Sequence, residues 1–248
     1  MARHYLAGTP AAILRIRQRM LIRLGIEEDP GGKYTAWALE FPGVFSYGKD
    51  QAEALLTLPR RLLEFDYWVR LHTDSPWFQL DGLDLHVDET FTVTRIEHQG
   101  EEYEINAFFQ HDLRPLTSAE VDQARQVLGW QQEELLAGIE FADAAALNRV
   151  EEGQRWSILG IIRHLAFAEL WYLQNLDMPT PEIPRDTHPI SVLEQSYLTL
   201  LNALPALVDE SRVTEYAQER WSARKLVRRV LWHRRDHIDH IRQLLGVI

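Results

Sequence analysis

The sequence predicts an α+β chain in two domains, an antiparallel sheet with one main helix over residues 1–112 and a four-helix bundle over 113–248. Three observations carry this. Long runs in the first part alternate apolar and polar residues with period two, which is the mark of a strand with one buried face. After "QHDLRPLT" (110–117) the apolar period lengthens to about 3.6, the helical value. The helical stretches then open on Ser or Thr, residues that cap helix N-termini.

Taken in order, Ile13 to Glu28 form the first strand run. Ile16, Gln18, Met20, Ile22, Leu24 and Ile26 share one face, with Arg15, Arg17, Arg19 and Arg23 on the other. "DPGG" (29–32) is a turn signal and "KYTAWALEF" (33–41) alternates again, so the two runs predict a hairpin. "PGVFSYGKD" (42–50) breaks the pattern. Residues 50–72 carry helical spacing, with a kink or break expected at Pro59. Strand runs return at 83–97 and 102–109, and "HQGE" (98–101) suits the turn between them.

In the second part Thr117–Glu120 reads as a capping box, with Leu116 and Val121 placed as its hydrophobic staple, and opens a helix that runs to about Gly138. A second helix over 155–176 takes Ser157 as N-cap and stops at the Pro-rich loop 177–189. A third opens on the box Ser191–Glu194 and ends near Pro205, and a fourth spans 220–245 with Ser222 as N-cap. Four capped amphipathic helices make a bundle the default, and such a bundle is expected to fold alone.

Composition narrows the function. The net charge of -11 makes general nucleic-acid binding a poor reading, because phosphate contacts need a basic surface. There are no cysteines, so any metal must be held by His, Asp or Glu, and any thiol chemistry needs a thiol from outside. No apolar run approaches the ~20 residues that span a bilayer. The acid-free N-terminus hints at a transit peptide, but its alternation is strand-like and no secretory apolar segment is present. The expectation is a cytoplasmic protein with no membrane partner.

"LWHRRDHIDHI" (231–241) draws attention to a site. His233 and His237 are i, i+4 on the last helix, so both rings leave one face and can share an ion. With 10 histidines in 248 residues, chance alone gives about 0.4 such pairs per chain. His240 lies near the same face. His164 lies in the otherwise apolar stretch "ILGIIRHLAFAEL". A lone histidine there is more often a hydrogen-bonded core residue, but Gly160 and Ala168 one turn away leave room over the ring. Glu169 projects about 140° from His164 and is expected to bond elsewhere in the core. Most of the basic residues on the last helix are expected to form a solvated face. Arg229 is the exception: it lies one turn before His233 on the metal face, where it could anchor a carboxylate.

"H-L-A-F-A-E" in the second helix and the H-x-x-x-H of "WHRRDHIDHIRQLL" near the chain end resemble the DinB/YfiT superfamily, over about residues 113–248. That resemblance implies a four-helix bundle with a three-histidine site for a divalent metal, often nickel or zinc, and His164, His233 and His237 as its ligands. His240 is no part of the pattern. Known activities in the superfamily include thiol-dependent transfer and isomerisation with low-molecular-weight thiols, and suspected hydrolysis. "YTAWALEFPGVFSYGKDQAEALLTL" (34–58) resembles the core of HicB-type antitoxins, which implies a small α/β fold able to bind a protein partner; no DNA-binding helix-turn-helix is evident. The function expected is a metal-dependent thiol S-transferase or hydrolase acting on a small molecule, with a homodimer compatible. The alternative is a non-catalytic protein whose HicB-like part recognises a protein partner.

Overall fold

The computed structural model describes residues 20–74, 77 and 82–247. The part of the first strand run before Met20, with Ile16 and Gln18, lies outside them. The chain opens with β1 (Met20–Glu28), β2 (Tyr34–Ala38) and β3 (Phe45–Gly48), then α1 (Gln51–His72) and β4 (Leu83–Thr92). The expected hairpin is present: β1 and β2 pair antiparallel, from Leu24 opposite Ala38 to Glu28 opposite Tyr34.

The sheet differs from the expected antiparallel one. Its order is β3-β2-β1-β4, and β4 runs parallel to β1. Period two determines which face of a strand is buried, not which neighbour it takes or in which direction. After β3 the chain crosses over through α1 and returns on the far edge of the sheet. β3 itself lies in the segment where the alternation breaks. It forms because Gly43, at a φ of 98°, turns the chain back after β2, and β3 then pairs along it. At Gly48 a Cβ would come within 2.3 Å of the backbone nitrogen of Ala54, so only glycine lets β3 run into the N-cap at Asp50. Pro59 neither breaks nor ends α1. Ala54, Leu58 and Leu62 of this helix pack against Ile22, Leu24 and Ile26, and that burial outweighs the one backbone hydrogen bond that proline removes.

The run 83–97 is two elements. It breaks at Val93, and β5 (Thr94–His98) leaves the sheet to pair with β6 (Glu101–Ile105) in a separate ribbon. Residues 106–109 continue without strand structure and carry Phe109 across the open face of the sheet. There Phe109 takes the space a side chain at Gly25 would need, since a Cβ would lie 2.6 Å from its ring.

The second part is a four-helix bundle of α2 (Ser118–Ile139), α4 (Ile158–Gln174), α5 (Pro189–Ala203) and α6 (Ala223–Leu244), with a short α3 (Ala144–Asn148) between the first two. α4 packs on α5 and α6, and α2 packs on α6. Thr117, Ser157 and Ser222 cap their helices as expected, each accepting from a backbone N–H three residues on. The box at Ser191 does not form. His188 caps α5 instead, and Pro189 takes the first helical position, where a missing N–H costs nothing. The chain also forms a hairpin of β7 (Thr214–Tyr216) and β8 (Glu219–Trp221) just before α6.

α6 is enclosed. One side faces the bundle. The other faces the sheet, where Trp37, Leu39, Phe45, Ala107 and Phe109 cluster and Trp232 packs against them. The solvated basic face expected on this helix is therefore absent: Arg224, Lys225, Arg228, Arg229 and Arg234 are all buried. Four of them are neutralised by acids from elsewhere in the chain. Arg224 pairs with Glu120, Lys225 with Glu219, Arg228 with Asp112 and Arg234 with Glu169. The fifth, Arg229, has no carboxylate within salt-bridge range among the described residues.

Candidate metal centre

His233 and His237 leave α6 one turn apart, 6% and 9% exposed. His164 reaches them from α4 and is half-buried. One ligand-type nitrogen from each of the three lies within 4.8 Å of the others. The His164 ring is edge-on to both partners, with centroids 5.0 Å from His233 and 5.3 Å from His237. A flat stack with Trp156, centroids 4.5 Å apart, fixes its plane.

α4 can approach α6 this closely for a local reason. Glu169, five residues after His164, is fully buried and receives two hydrogen bonds from the Arg234 guanidinium, the residue after His233. It also accepts from Ser196 of α5, at 2.8 Å. Arg234 in turn donates to Gln132 of α2. One buried pair thus ties all four helices together beside the histidines, the core role expected of Glu169.

The electrostatics favour neutral rings. Burial, then the neighbouring imidazoles, holds His233 well below the usual histidine range. His237 is pushed down to about 4, mostly by burial. His164 is lowered by burial and by Arg155. Neutral imidazole is the form that ligates a metal. The Nε2 atoms of His233 and His237 face each other at 2.9 Å. Two lone pairs cannot meet at that distance without a proton or a cation between them. Metal–imidazole bonds of about 2.0–2.1 Å allow one ion to serve two nitrogens so close. The donor set therefore fits a divalent ion, held by His164, His233 and His237. His240 stands apart, with its Nε2 bonded to Gln154 at 2.8 Å.

Arg229 sits one turn before His233 and is 8% exposed. Its guanidinium lies over the Trp232 ring, 4.2 Å from the centroid, near enough to the Tyr172 hydroxyl and to Glu27 and Glu219 for them to stabilise its charge. Its Nε is buried with no hydrogen-bond partner among the described residues. A buried cation without an anion is costly. Here the charge is partly offset by the nearby Glu27 and Glu219 carboxylates, and it lies one turn from His233. Sequence spacing placed Arg229 near His233 but missed the phenols around it: Tyr172 of α4, and Tyr47 and Tyr103 from the N-terminal strands, both close enough to feel its charge. Tyrosines in strands carry no spacing signal that could have assigned them. A cleft of about 200 Å³ lies on another side of α6, lined by Arg235, Asp239, Arg242 and residues of α1 and α2. It contains none of the three histidines.

Comparison with solved structures finds a likeness to YfiT from Bacillus subtilis, described as a probable metal-dependent hydrolase with an unusual four-helix bundle topology. The two are 21% identical, with a TM-score of 0.43, over 53% of this chain and 89% of that one. No family model matches the chain, and no curated protein does. At that distance the functional reading rests on this chain's own residues.

Proposed function

We propose that this protein is a divalent-metal-dependent enzyme of the DinB-like type, a hydrolase or thiol S-transferase, acting on a small molecule that carries a negative group. The observation that carries the reading is the convergence of three neutral imidazoles, from two helices, beside the buried Arg229 guanidinium, which makes no salt bridge among the described residues. Ni²⁺ and Zn²⁺ suit such a donor set.

A divalent ion bound by three imidazoles retains an open position, which can activate water or hold an external thiol as thiolate. The rest of the work falls to the chain. His164, His233 and His237 hold the ion while staying neutral. Trp156 and the Glu169–Arg234 pair keep the two helices in register. Arg229 receives the substrate's negative group one turn from His233, and the aromatic rings around it restrict water. With no cysteine in the chain, a thiol for transfer comes from solution.

The test is metal analysis of protein purified without a histidine tag, followed by titration with a small thiol. Close to one divalent ion per chain, with a spectral change when thiol binds, supports the enzyme reading. Protein that takes up no divalent ion, or holds one that no exogenous ligand can reach, supports the rival reading of a non-catalytic protein that binds a partner through its N-terminal part.

A further inference from the structure

We infer that the N-terminal sheet braces the side of the three-histidine site that carries Arg229, with Tyr47 as the positioning residue that holds Trp232, and through it Arg229, in place. This rests on the reading of Arg229 as an anion receptor.

The chain of contacts starts on β3. The Tyr47 hydroxyl accepts a hydrogen bond from Trp232 Nε1 at 2.9 Å and donates to Asp236 Oδ1 at 2.8 Å. Trp232 and Asp236 are one turn apart on α6, so a single phenol clamps that turn. Trp37 and Phe45 meet the Trp232 ring edge-on, at 5.6 Å and 6.3 Å between centroids. The indole is therefore set in a box supplied by the sheet. Its faces are what the site uses. It lies nearly parallel to the His233 ring, 23° between planes and 5.6 Å between centroids. It also carries the Arg229 guanidinium at 4.2 Å.

Arg229 has few other constraints. The Tyr172 hydroxyl lies near it, and Nε has no hydrogen-bond partner among the described residues. A guanidinium held mainly by stacking takes its direction from the ring beneath it. The indole plane sets where its donors point, and the sheet sets the indole plane. A packing contact between sheet and helix would need only the apolar box. Two hydrogen bonds from one phenol to successive turns of α6 add an orientation that packing alone does not require.

Co²⁺-loaded protein separates these roles, with two probes that both bind a metal through sulfur. Mercaptoacetate carries a carboxylate and 2-mercaptoethanol does not, and the cobalt–thiolate absorption follows both. The unmodified protein should prefer mercaptoacetate. Tyr47→Phe keeps the ring and removes both hydrogen bonds. It should weaken mercaptoacetate by roughly fivefold or more, the scale of a lost hydrogen bond, while 2-mercaptoethanol affinity and cobalt content stay constant. Asp236→Ala should act in the same direction, which guards against an effect peculiar to one variant. Unchanged mercaptoacetate affinity in Tyr47→Phe, or equal losses for both probes, overturns the inference. Arg229→Gln distinguishes the two levels. If it abolishes the preference and Tyr47→Phe does not, the positioning role falls and the anion receptor stands. If Arg229→Gln leaves the preference intact, or the protein takes up no cobalt, the underlying reading falls and this inference with it.

Discussion

Arg229 is a buried cation of α6 without a salt bridge among the described residues, and that has a thermodynamic consequence. Its charge is offset by the Trp232 ring face, the Tyr172 phenol and the buried Glu27 and Glu219 carboxylates, none of them in salt-bridge contact with it. Replacement of buried ionic groups by apolar residues of similar size is often neutral or stabilising. Arg229→Met should therefore raise the thermal midpoint of the metal-free protein, by about 2–4 °C for each kcal/mol gained, while carboxylate affinity falls. Calorimetric melts check the first half, and a lowered midpoint would mean that the guanidinium is structurally satisfied. Arg228, its neighbour, makes no neutral control, because it pairs with Asp112 at 2.6 Å. Exposed Arg220 serves instead. His111 sets a pH dependence away from the metal ligands. Burial, then Arg224 and Arg114, pushes it down to about 4. Above pH 6.5 it is neutral in both folded and unfolded chains. As pH falls from about 6.5 to 4 the unfolded chain takes up a proton that the folded chain refuses, so stability falls across that window and this contribution levels off below it. Urea titrations of the metal-free protein between pH 7 and 4 should show a shallower loss in His111→Gln than in the parent, by at most about 1.4 kcal/mol per pH unit. Equal slopes would show that His111 titrates normally.

The decisive element is α6. It donates two of the three histidines, and four of its five buried cations each reach an acid in a different part of the chain. The pair that matters most to the site is Arg234–Glu169, both fully buried, because it joins α6 to α4 beside His164. Glu169→Ala leaves Arg234 buried with only Gln132 as a partner. Loss of one member of a buried pair typically costs about 3–5 kcal/mol. Chemical denaturation should show that loss together with weaker metal binding, since His164 would lose its register with α6. A variant as stable as the parent would remove Glu169 from this role. The helices themselves were legible in the sequence, because caps and 3.6-residue periodicity are local. Three of the four predicted N-caps stand where expected, and the fourth moved only because Pro189 offered an earlier start. That His164 meets His233 and His237 was implied by the DinB/YfiT resemblance; local spacing alone paired His233 with His237 and read a lone histidine at 164 as more often a core residue. The burial of the α6 cations was not legible. Their partners lie as far as 116 residues away, and a run of Arg and Lys looks the same whether it faces water or distant acids. The direction of β4 was hidden for a similar reason, as strand pairing depends on the crossover through α1 and not on the strand's own pattern.

At the scale of the molecule, sheet and bundle share α6. A boundary at residue 113 would cut through that shared layer. Asp112 neutralises Arg228, the Ala107 and Asn106 carbonyls accept from Arg228 and Lys225, and the sheet covers Trp232. The expectation that 113–248 folds alone is thus opposed by the contacts on α6. With total stabilities of about 5–15 kcal/mol, the loss of one buried pair and an aromatic contact face is a large fraction. The fragment should unfold at markedly lower urea than the whole chain, or without cooperativity, as followed by circular dichroism. A fragment as stable as the parent would make the sheet a dispensable attachment. The claim on which the rest depends is that three histidines hold one ion. The most direct measurement is the metal content and affinity of the whole chain against His164→Ala, by elemental analysis and competition with a chelator. His164 is the contribution of α4 to the site, and without it two imidazoles on one helix remain. The parent should retain close to one divalent ion per chain and His164→Ala should lose most of it while keeping its helical content. Equal metal content and affinity in the two proteins would contradict the three-histidine centre.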